Sequence, residues 1–193
     1  MWKRTDEDEK EFARQDLEKL TKKADQGLID LVYGDQSGFN LGAKVVYAWQ
    51  KRGERIVIPV SKGASQNVLG FMWHRCQRFE SFVFAGSVDS QVMSGCVDVL
   101  AQSLKKETWL VLDNSPIHRS EEFEENIKEW AKLGLRIYFL PTYCPSLNKI
   151  EMVWQKIKYD WLTWDAYGSY QNLCKELDQV LSQIGSLYRI IFA

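Results

Sequence analysis

The spacing of apolar positions along the chain predicts helices and strands in alternation. Residues 5–26 are highly charged and carry a thin apolar stripe at Phe12, Leu17, Leu20 and Ala24, which indicates an amphipathic helix. Short runs rich in β-branched and aromatic residues follow, and such runs are typical of strands. The predicted strands span residues 28–34, 45–50, 55–60, 68–73, 81–85, 108–112 and 135–140.

Apolar residues recur at helical spacing in four further segments, which cover residues 90–104, 120–133, 148–164 and 169–184. Ser90 and Ser120 are candidate N-caps of the first two helices. Strands that can pair as a meander, followed by strand–helix–strand crossovers, imply a mixed sheet with helices on its faces. We therefore predict one α/β domain over residues 27–193, preceded by a helical lead-in segment at residues 1–26.

The composition is that of an ordinary globular protein. Of the 193 residues, 45% are hydrophobic and 26% are charged, which excludes a disordered or collagen-like chain. The longest apolar runs are much shorter than the roughly 20 residues that cross a bilayer, and the first ten residues contain no apolar signal segment. Four cysteines without a CxxC pair, and only two histidines, argue against a structural zinc site. These features predict a cytoplasmic protein with reduced thiols and no membrane contact.

The net charge of −1 hides a strong asymmetry. Residues 44–78 hold seven basic side chains against Glu54 alone, a local charge of +6, so the rest of the chain carries −7. The seven basic residues are Lys44, Lys51, Arg52, Arg55, Lys62, Arg75 and Arg78. A basic segment on an acidic protein suits a polyanion such as DNA that contacts one face. The alternative is a solvated strand edge that Lys and Arg protect from pairing with other chains.

Three acidic residues occupy positions where a ligand could bind. Asp35 follows the first predicted strand, Asp113 follows the strand at 108–112, and Glu151 lies in the first turn of a predicted helix. Open α/β sheets bind ligands at the carboxyl ends of their strands. Each acid also has a structural alternative, because Asp35 and Asp113 could form turns and Glu151 could complete a capping box with Asn148.

Taken together, the three carboxylates suit phosphoryl transfer. Mg²⁺ prefers carboxylate, water and phosphate oxygens as ligands. Two such ions, about 3.5–4 Å apart, can hold the attacking and leaving oxygens of an in-line displacement. Asp35 and Asp113 can converge on such a site if their strands are neighbours in the sheet, and Glu151 can reach it from the helix.

Several sequence blocks resemble the signature of mariner-like bacterial insertion-sequence transposases. LVLDNSPIH at 110–118 is similar to their strand ending in Asp-Asn, with a His five positions after the Asp. FLPTYCPSLNKIEMVWQKIK at 139–158 is similar to their block LPPYSPDLNPIE-x-x-W-x-x-K, with Lys149 in place of a Pro. LVYGDQSGF resembles their first-aspartate block, with Gln36 in place of a Glu, and AWQKRG matches the Trp and Gly of the hairpin that follows it. The resemblance extends over about residues 25–165.

This resemblance implies a ribonuclease-H-like fold, with a mixed five-stranded sheet flanked by helices, and a catalytic DDE triad formed by the three acids. They would ligate two Mg²⁺ ions, for which Mn²⁺ can substitute. Asn114, His118 and Asn148 accompany the motif and would position phosphate or the ligands, although His118 could instead cap a helix. Such transposases usually carry an N-terminal helix-turn-helix region, for which the residues before Asp35 are too few. We therefore expect either the excised catalytic part of a transposase or a shortened gene product.

The predicted function is that of the catalytic core of a DNA transposase. It would hydrolyse phosphodiester bonds at transposon ends with metal ions and transfer the freed strand into target DNA. The predicted partners are these DNA molecules and a second copy of the chain, in the bacterial cytoplasm near the nucleoid and without a nucleotide cofactor. Two alternatives stay open, a domesticated DNA-binding module that does not cleave and a plain ribonuclease-H-like nuclease.

Overall fold

The computed structural model describes residues 6–42, 65–115, 117, 120–142 and 144–191. This part of the chain contains five α-helices and five strands. They are α1 (Asp6–Asp25), β1 (Asp30–Asn40), β2 (Ser65–Trp73), β3 (Phe79–Ala85), α2 (Ser90–Gln102), β4 (Thr108–Leu112), α3 (Glu121–Lys132), β5 (Leu135–Phe139), α4 (Ile150–Lys156) and α5 (Tyr170–Gln183). A π-helical turn (Ile157–Trp161) continues α4, and 3₁₀ turns lie at Pro145–Leu147 and Trp164–Gly168.

The described strands form one mixed sheet in the order β3-β2-β1-β4-β5. The β1–β2 and β2–β3 pairs are antiparallel, whereas β1–β4 and β4–β5 are parallel. A short turn joins β2 to β3, while α2 and α3 supply the crossovers that parallel strands need. The predicted mixed five-stranded sheet with flanking helices is therefore confirmed. The predicted strands at 45–50 and 55–60 lie outside the described residues. No helix in the described ranges is long and apolar enough to span a membrane.

A hydrophobic core lies on each side of the sheet. The first core, which we call the α4 face, contains side chains from α1, α4 and α5 together with Tyr33 and Phe39 of β1. The second core, the α2–α3 face, contains side chains from α2 and α3 together with Val32 of β1. Because successive side chains of a strand point to opposite faces, odd-numbered residues of β1 face α4.

Strand β1 is longer than the sequence predicted. It pairs with β2 over its length, from Val32 opposite Trp73 to Asn40 opposite Ser65. The prediction that Asp35 follows the strand is therefore wrong, since Asp35 lies inside it. The parallel pairing of β1 with β4 ends earlier, at Tyr33 opposite Val111, so Asp35 lies just past the end of the parallel pairing.

Helix ends differ from prediction in two places. The N-cap of α2 is Asp89 and not Ser90, because the Asp89 carboxylate accepts a 2.9 Å hydrogen bond from the Val92 amide. The helix predicted over 148–164 is shorter, because its last turn widens to a π turn in which the Leu162 amide bonds the Ile157 carbonyl. The Ser120 cap of α3 is confirmed by its bond from the Phe123 amide.

Helix α1 turns a slightly different face to the core from the one predicted. Phe12 is 46% exposed, whereas Ala13, Leu17 and Leu20 are buried. These three residues are spaced by four and three positions, which places them along one side of a helix. Through Leu17 and Leu20, α1 belongs to the core of the α4 face.

Candidate active site

Asp35 points toward α4 because of its register in β1. It shares the face of Tyr33 and Phe39, both of which belong to the core there. The preceding residue, Gly34, faces the opposite core, where a Cβ atom would lie 2.8 Å from a methyl carbon of Leu112. A glycine is therefore needed at position 34 for the strand to pack this closely beside Asp35.

The carboxylates of Asp35, Asp113 and Glu151 line one cavity of about 390 Å³. Asp113 directly follows β4, and its Oδ1 accepts a 3.3 Å hydrogen bond from the Ser115 amide. Glu151 lies in the first turn of α4. The structure thus brings together the three acids that the sequence singled out, together with Asn114 and Asn148 in the wall of the same cavity.

The surroundings of Asp35 disfavour its negative charge. Burial raises the pKa of Asp35 to about 7, and the charges of Glu151 and Asp113 act in the same direction. Hydrogen bonds from the Gln36 amide and the Trp154 indole oppose this rise. A cation between the carboxylates would relieve the repulsion.

Asn148 lies in the wall of the cavity and holds a further side-chain oxygen beside it. It is 3% exposed, and its Nδ2 donates a 3.1 Å hydrogen bond to the Gly34 carbonyl oxygen. Its Oδ1 is buried and has no hydrogen-bond partner in the described part of the chain. Among the described residues, no group of three or more His, Cys, Asp or Glu side chains is close enough to hold a metal ion as it stands. The donor set of three carboxylates and one amide oxygen nevertheless fits a hard divalent cation.

The capping box considered for Glu151 is not formed. The N-cap of α4 is Lys149, which makes no side-chain capping hydrogen bond. The side-chain amide of Asn148 instead donates its hydrogen bond to the Gly34 carbonyl oxygen of β1. The structural alternative for Glu151 is therefore wrong.

Trp154 is a site residue that the sequence did not reveal. Its spacing in α4 predicted a core position, and it is indeed 2% exposed. Its Nε1, however, also donates a 3.0 Å hydrogen bond to Oδ2 of Asp35. The available signal was its place in the transposase block, three residues after Glu151, because residues three apart are neighbours on one side of a helix.

Most basic residues of the predicted DNA-binding segment are not among the described residues. Lys44, Lys51, Arg52, Arg55 and Lys62 lie outside the described residues, and so does His118.

The two described basic residues of that segment do not line the cavity. Arg75 lies 3.2 Å from Asp25, and Arg78 pairs with Glu80 while its guanidinium stacks 3.8 Å from the Trp73 ring. They flank the turn between β2 and β3, beyond the end of β2. Their role toward DNA stays a prediction.

The five-stranded sheet, with acids in β1, after the neighbouring strand β4 and at the start of α4, defines a ribonuclease-H-like domain. The chain belongs to the DDE superfamily endonuclease family, whose match covers residues 30–174. It is 27% identical over 156 residues to the insertion element IS630 uncharacterized 39 kDa protein of Shigella sonnei. That alignment covers 79% of the chain and 42% of the Shigella protein. The resemblance to insertion-sequence transposases is thus confirmed.

Solved structures show the same fold. The Mos1 transposase paired-end complex with the left transposon end matches with a TM-score of 0.62 and 16% identity, over 94% of this chain and 56% of that chain. The catalytic domain of Mos1 mariner transposase matches with a TM-score of 0.56 and 14% identity, over 94% of this chain and 83% of that one. The chain therefore spans less than half of its Shigella relative and about half of the Mos1 chain in the complex.

Proposed function

We propose that this chain is the catalytic core of an insertion-element DNA transposase that breaks phosphodiester bonds with divalent metal ions. The observation that carries the proposal is the cavity lined by Asp35, Asp113 and Glu151, which come from β1, the end of β4 and the start of α4. Membership of the DDE superfamily endonuclease family supports it. So does the origin of the Shigella relative in an insertion element.

The metal would be Mg²⁺, as two ions, with Mn²⁺ as a substitute. The three carboxylates would be ligands, and Asn148 Oδ1 would add a neutral oxygen. When bound, such ions activate the attacking water and stabilise charge on the phosphate. Mos1 paired-end complexes have been solved with Mn and with Mg, which supports the choice of ion.

The protein's own residues would orient the reactants and balance charge. The three carboxylates alone give the cavity a negative potential that repels DNA phosphates, so DNA and cation should bind cooperatively. The Asn114 side chain, in the cavity wall beside Asp113, would orient a phosphate, and His118 would assist it. Positioning and charge neutralisation supply the catalysis in this scheme, without a covalent enzyme intermediate.

The proposed substrates are the ends of the element and the target DNA, bound by two copies of the chain. The Mos1 paired-end complex, as a structural neighbour, supports this arrangement. Residues 27–193 would form the catalytic domain, with residues 1–26 as its lead-in segment. Basic residues within 44–78 would contact the DNA backbone, and the reaction would take place on DNA in the bacterial cytoplasm.

Metal-dependent stabilisation tests the site directly. Mn²⁺ at 100 times its dissociation constant should raise the free energy of unfolding by about 2.7 kcal/mol, seen as a higher Tm. Asp113→Asn should remove most of this rise, because a neutral amide is a poor ligand for a hard cation. Asp98→Asn is the matched control, since Asp98 is exposed on α2 at the opposite face. An equal rise in Asp113→Asn would remove this residue from the site.

DNA cleavage tests the activity. Nicking of a supercoiled plasmid in Mn²⁺ should be lost in Asp113→Asn and kept in Asp98→Asn. Joining of a 3′-hydroxyl DNA end to a second duplex would distinguish a transposase from a plain nuclease. Metal binding without nicking would instead support a non-cleaving module and would contradict the proposal.

A further inference from the structure

We propose that Trp154 is a positioning residue that fixes the Asp35 carboxylate for metal binding, and that Gly70 provides the space for its ring. This inference rests on the proposed function. Its basis is the 3.0 Å hydrogen bond from the Trp154 Nε1 to Oδ2 of Asp35, which links α4 to β1 at the cavity. The bond satisfies the buried indole N–H and at the same time fixes one oxygen of a candidate metal ligand.

Gly70 is the residue directly opposite Asp35 in the β1–β2 pairing, so the two positions share one face of the sheet. A Cβ atom at position 70 would lie 2.6 Å from Cη2 and 2.9 Å from Cζ2 of Trp154, and 2.8 Å from Cζ of Phe79, the ring that packs on this indole. Real Cβ contacts are not that short, so the indole occupies the volume that a side chain at position 70 would fill. The ring can reach Asp35 because its strand neighbour has no side chain.

Two aromatic rings hold the indole in this orientation. Phe39 and Phe79 pack edge-to-face on Trp154, with ring centroids at 6.3 and 5.7 Å. Trp154 is 2% exposed, so its N–H cannot donate to solvent in place of Asp35. The position of the donor therefore determines where Oδ2 of Asp35 lies.

The backbone beside Asp35 is held in the same way. Asn148 donates to the Gly34 carbonyl from the residues just before α4, and the Gln36 amide donates to the Asp35 carboxylate. Donors around a ligand orient it, and removing such a partner typically weakens metal affinity or activity about 10–100-fold. Trp154 is the side-chain member of this set.

Mn²⁺ binding to the full chain tests the proposal, with electron paramagnetic resonance measuring the free ion. Trp154→Phe keeps an aromatic ring and removes the N–H, so the dissociation constant for Mn²⁺ should rise about 10–100-fold. Trp130→Phe is the matched control, because Trp130 is 1% exposed and donates its Nε1 proton to Asp98 at the opposite face. Its Mn²⁺ affinity should stay within twofold of the parent chain. A Trp154→Phe chain that folds and binds Mn²⁺ within twofold of the parent would overturn the proposal.

A second pair of variants keeps the indole and changes the space around it. Gly70→Ala should displace the ring and weaken Mn²⁺ binding in the same direction as Trp154→Phe. Gly38→Ala, on β1, is its control, because the added Cβ would meet only the tip of Asn67, at 3.2 Å. If Gly70→Ala breaks the hydrogen bond from Trp154 to Asp35 but leaves the Mn²⁺ affinity unchanged, the positioning role is contradicted.

A spectroscopic readout separates positioning from packing. The indole N–H resonance that disappears in Trp154→Phe should shift when Mg²⁺ is added to the parent chain, whereas that of Trp130 should stay in place. If Asp113→Asn loses Mn²⁺ binding and Trp154→Phe does not, the positioning role fails while the proposed function stands. If the parent chain binds no Mn²⁺ at all, both proposals fail.

Discussion

Each face of the sheet buries one tryptophan that donates its indole N–H to an aspartate, but the two aspartates have opposite surroundings. Trp130 of α3 bonds to Asp98, an exposed residue of α2. Trp154 of α4 bonds to Asp35, which is largely buried beside Glu151 and Asp113. Asp98 is exposed to solvent, whereas burial and two neighbouring acids raise the pKa of Asp35 to about 7.

The comparison shows that the hydrogen bond itself does not mark a functional site. The functional site is distinguished by an acceptor carboxylate whose surroundings disfavour its negative charge. Carboxylates with strongly shifted pKa values cluster at functional sites. On the α2–α3 face, all local features serve packing. On the α4 face, packing holds three acids in positions that they would not occupy for stability alone.

The largest effect is expected from truncating either tryptophan, since both fill a core completely. Trp130→Ala and Trp154→Ala should each lower the free energy of unfolding by about 3–5 kcal/mol, measured by chemical denaturation. Only Trp154→Ala should also reduce the stabilisation gained from Mn²⁺. Equal stabilisation by Mn²⁺ in the two variants would contradict the assignment of the metal site to the α4 face.

An intermediate effect is expected from pH in the metal-free protein. An unfolded Asp titrates near pH 3.9, whereas folded Asp35 titrates at about 7. Between these values the folded state holds the extra proton, so the free energy of unfolding falls as pH rises. The slope due to Asp35 should be at most about 1.4 kcal/mol per pH unit.

Denaturation between pH 5 and 7 measures this slope. Asp35→Asn should flatten it, and Asp98→Asn should leave it unchanged. Mn²⁺ should also reduce the slope in the parent chain, because a bound cation favours the ionised carboxylate. A stability that rises with pH over this range in the parent chain, and is unaffected by Asp35→Asn, would contradict the assigned environment.

The smallest effect on stability is expected from Glu151→Gln. No capping box is lost. The change removes a favourable charge at a helix N-terminus, worth about 0.3–1 kcal/mol, and the relief of repulsion between Glu151 and Asp35 offsets part of that loss. Plasmid nicking should nevertheless slow at least about 100-fold, a barrier increase of about 2.7 kcal/mol. Nicking within a few-fold of the parent rate would mean that the third ligand lies elsewhere.

Local periodicity was sufficient to predict the alternation of elements and the mixed sheet, because strands and helices have different repeats. The three acids were found through short motifs whose residues also meet in space. The length of β1 was not predictable, since it depends on pairing with β2, where the partner of Asp35 is Gly70, 35 positions further along the chain.

The roles of individual polar groups were also not predictable from the sequence. Asn148 has the chemistry of a helix cap, and only the fold shows that its amide reaches the Gly34 carbonyl instead. Asp89 and Ser90 are adjacent and both suit a cap, so sequence could not choose between them. The spacing of Trp154 in α4 predicts only a core position. Its hydrogen bond to Asp35 depends also on the glycine that lies opposite Asp35 in β2.

The hydrogen bonds that join α4 to β1 also have a consequence for how the protein folds. They connect residues 114 and 119 positions apart, and contacts between such distant positions form late, because a long loop must close first. A nascent chain that ends before Asn148 already contains Asp35 and Asp113, but it lacks Glu151 and both hydrogen-bond donors of this segment. The complete set of candidate ligands therefore comes together only when nearly the whole domain has been synthesised and α4 has docked.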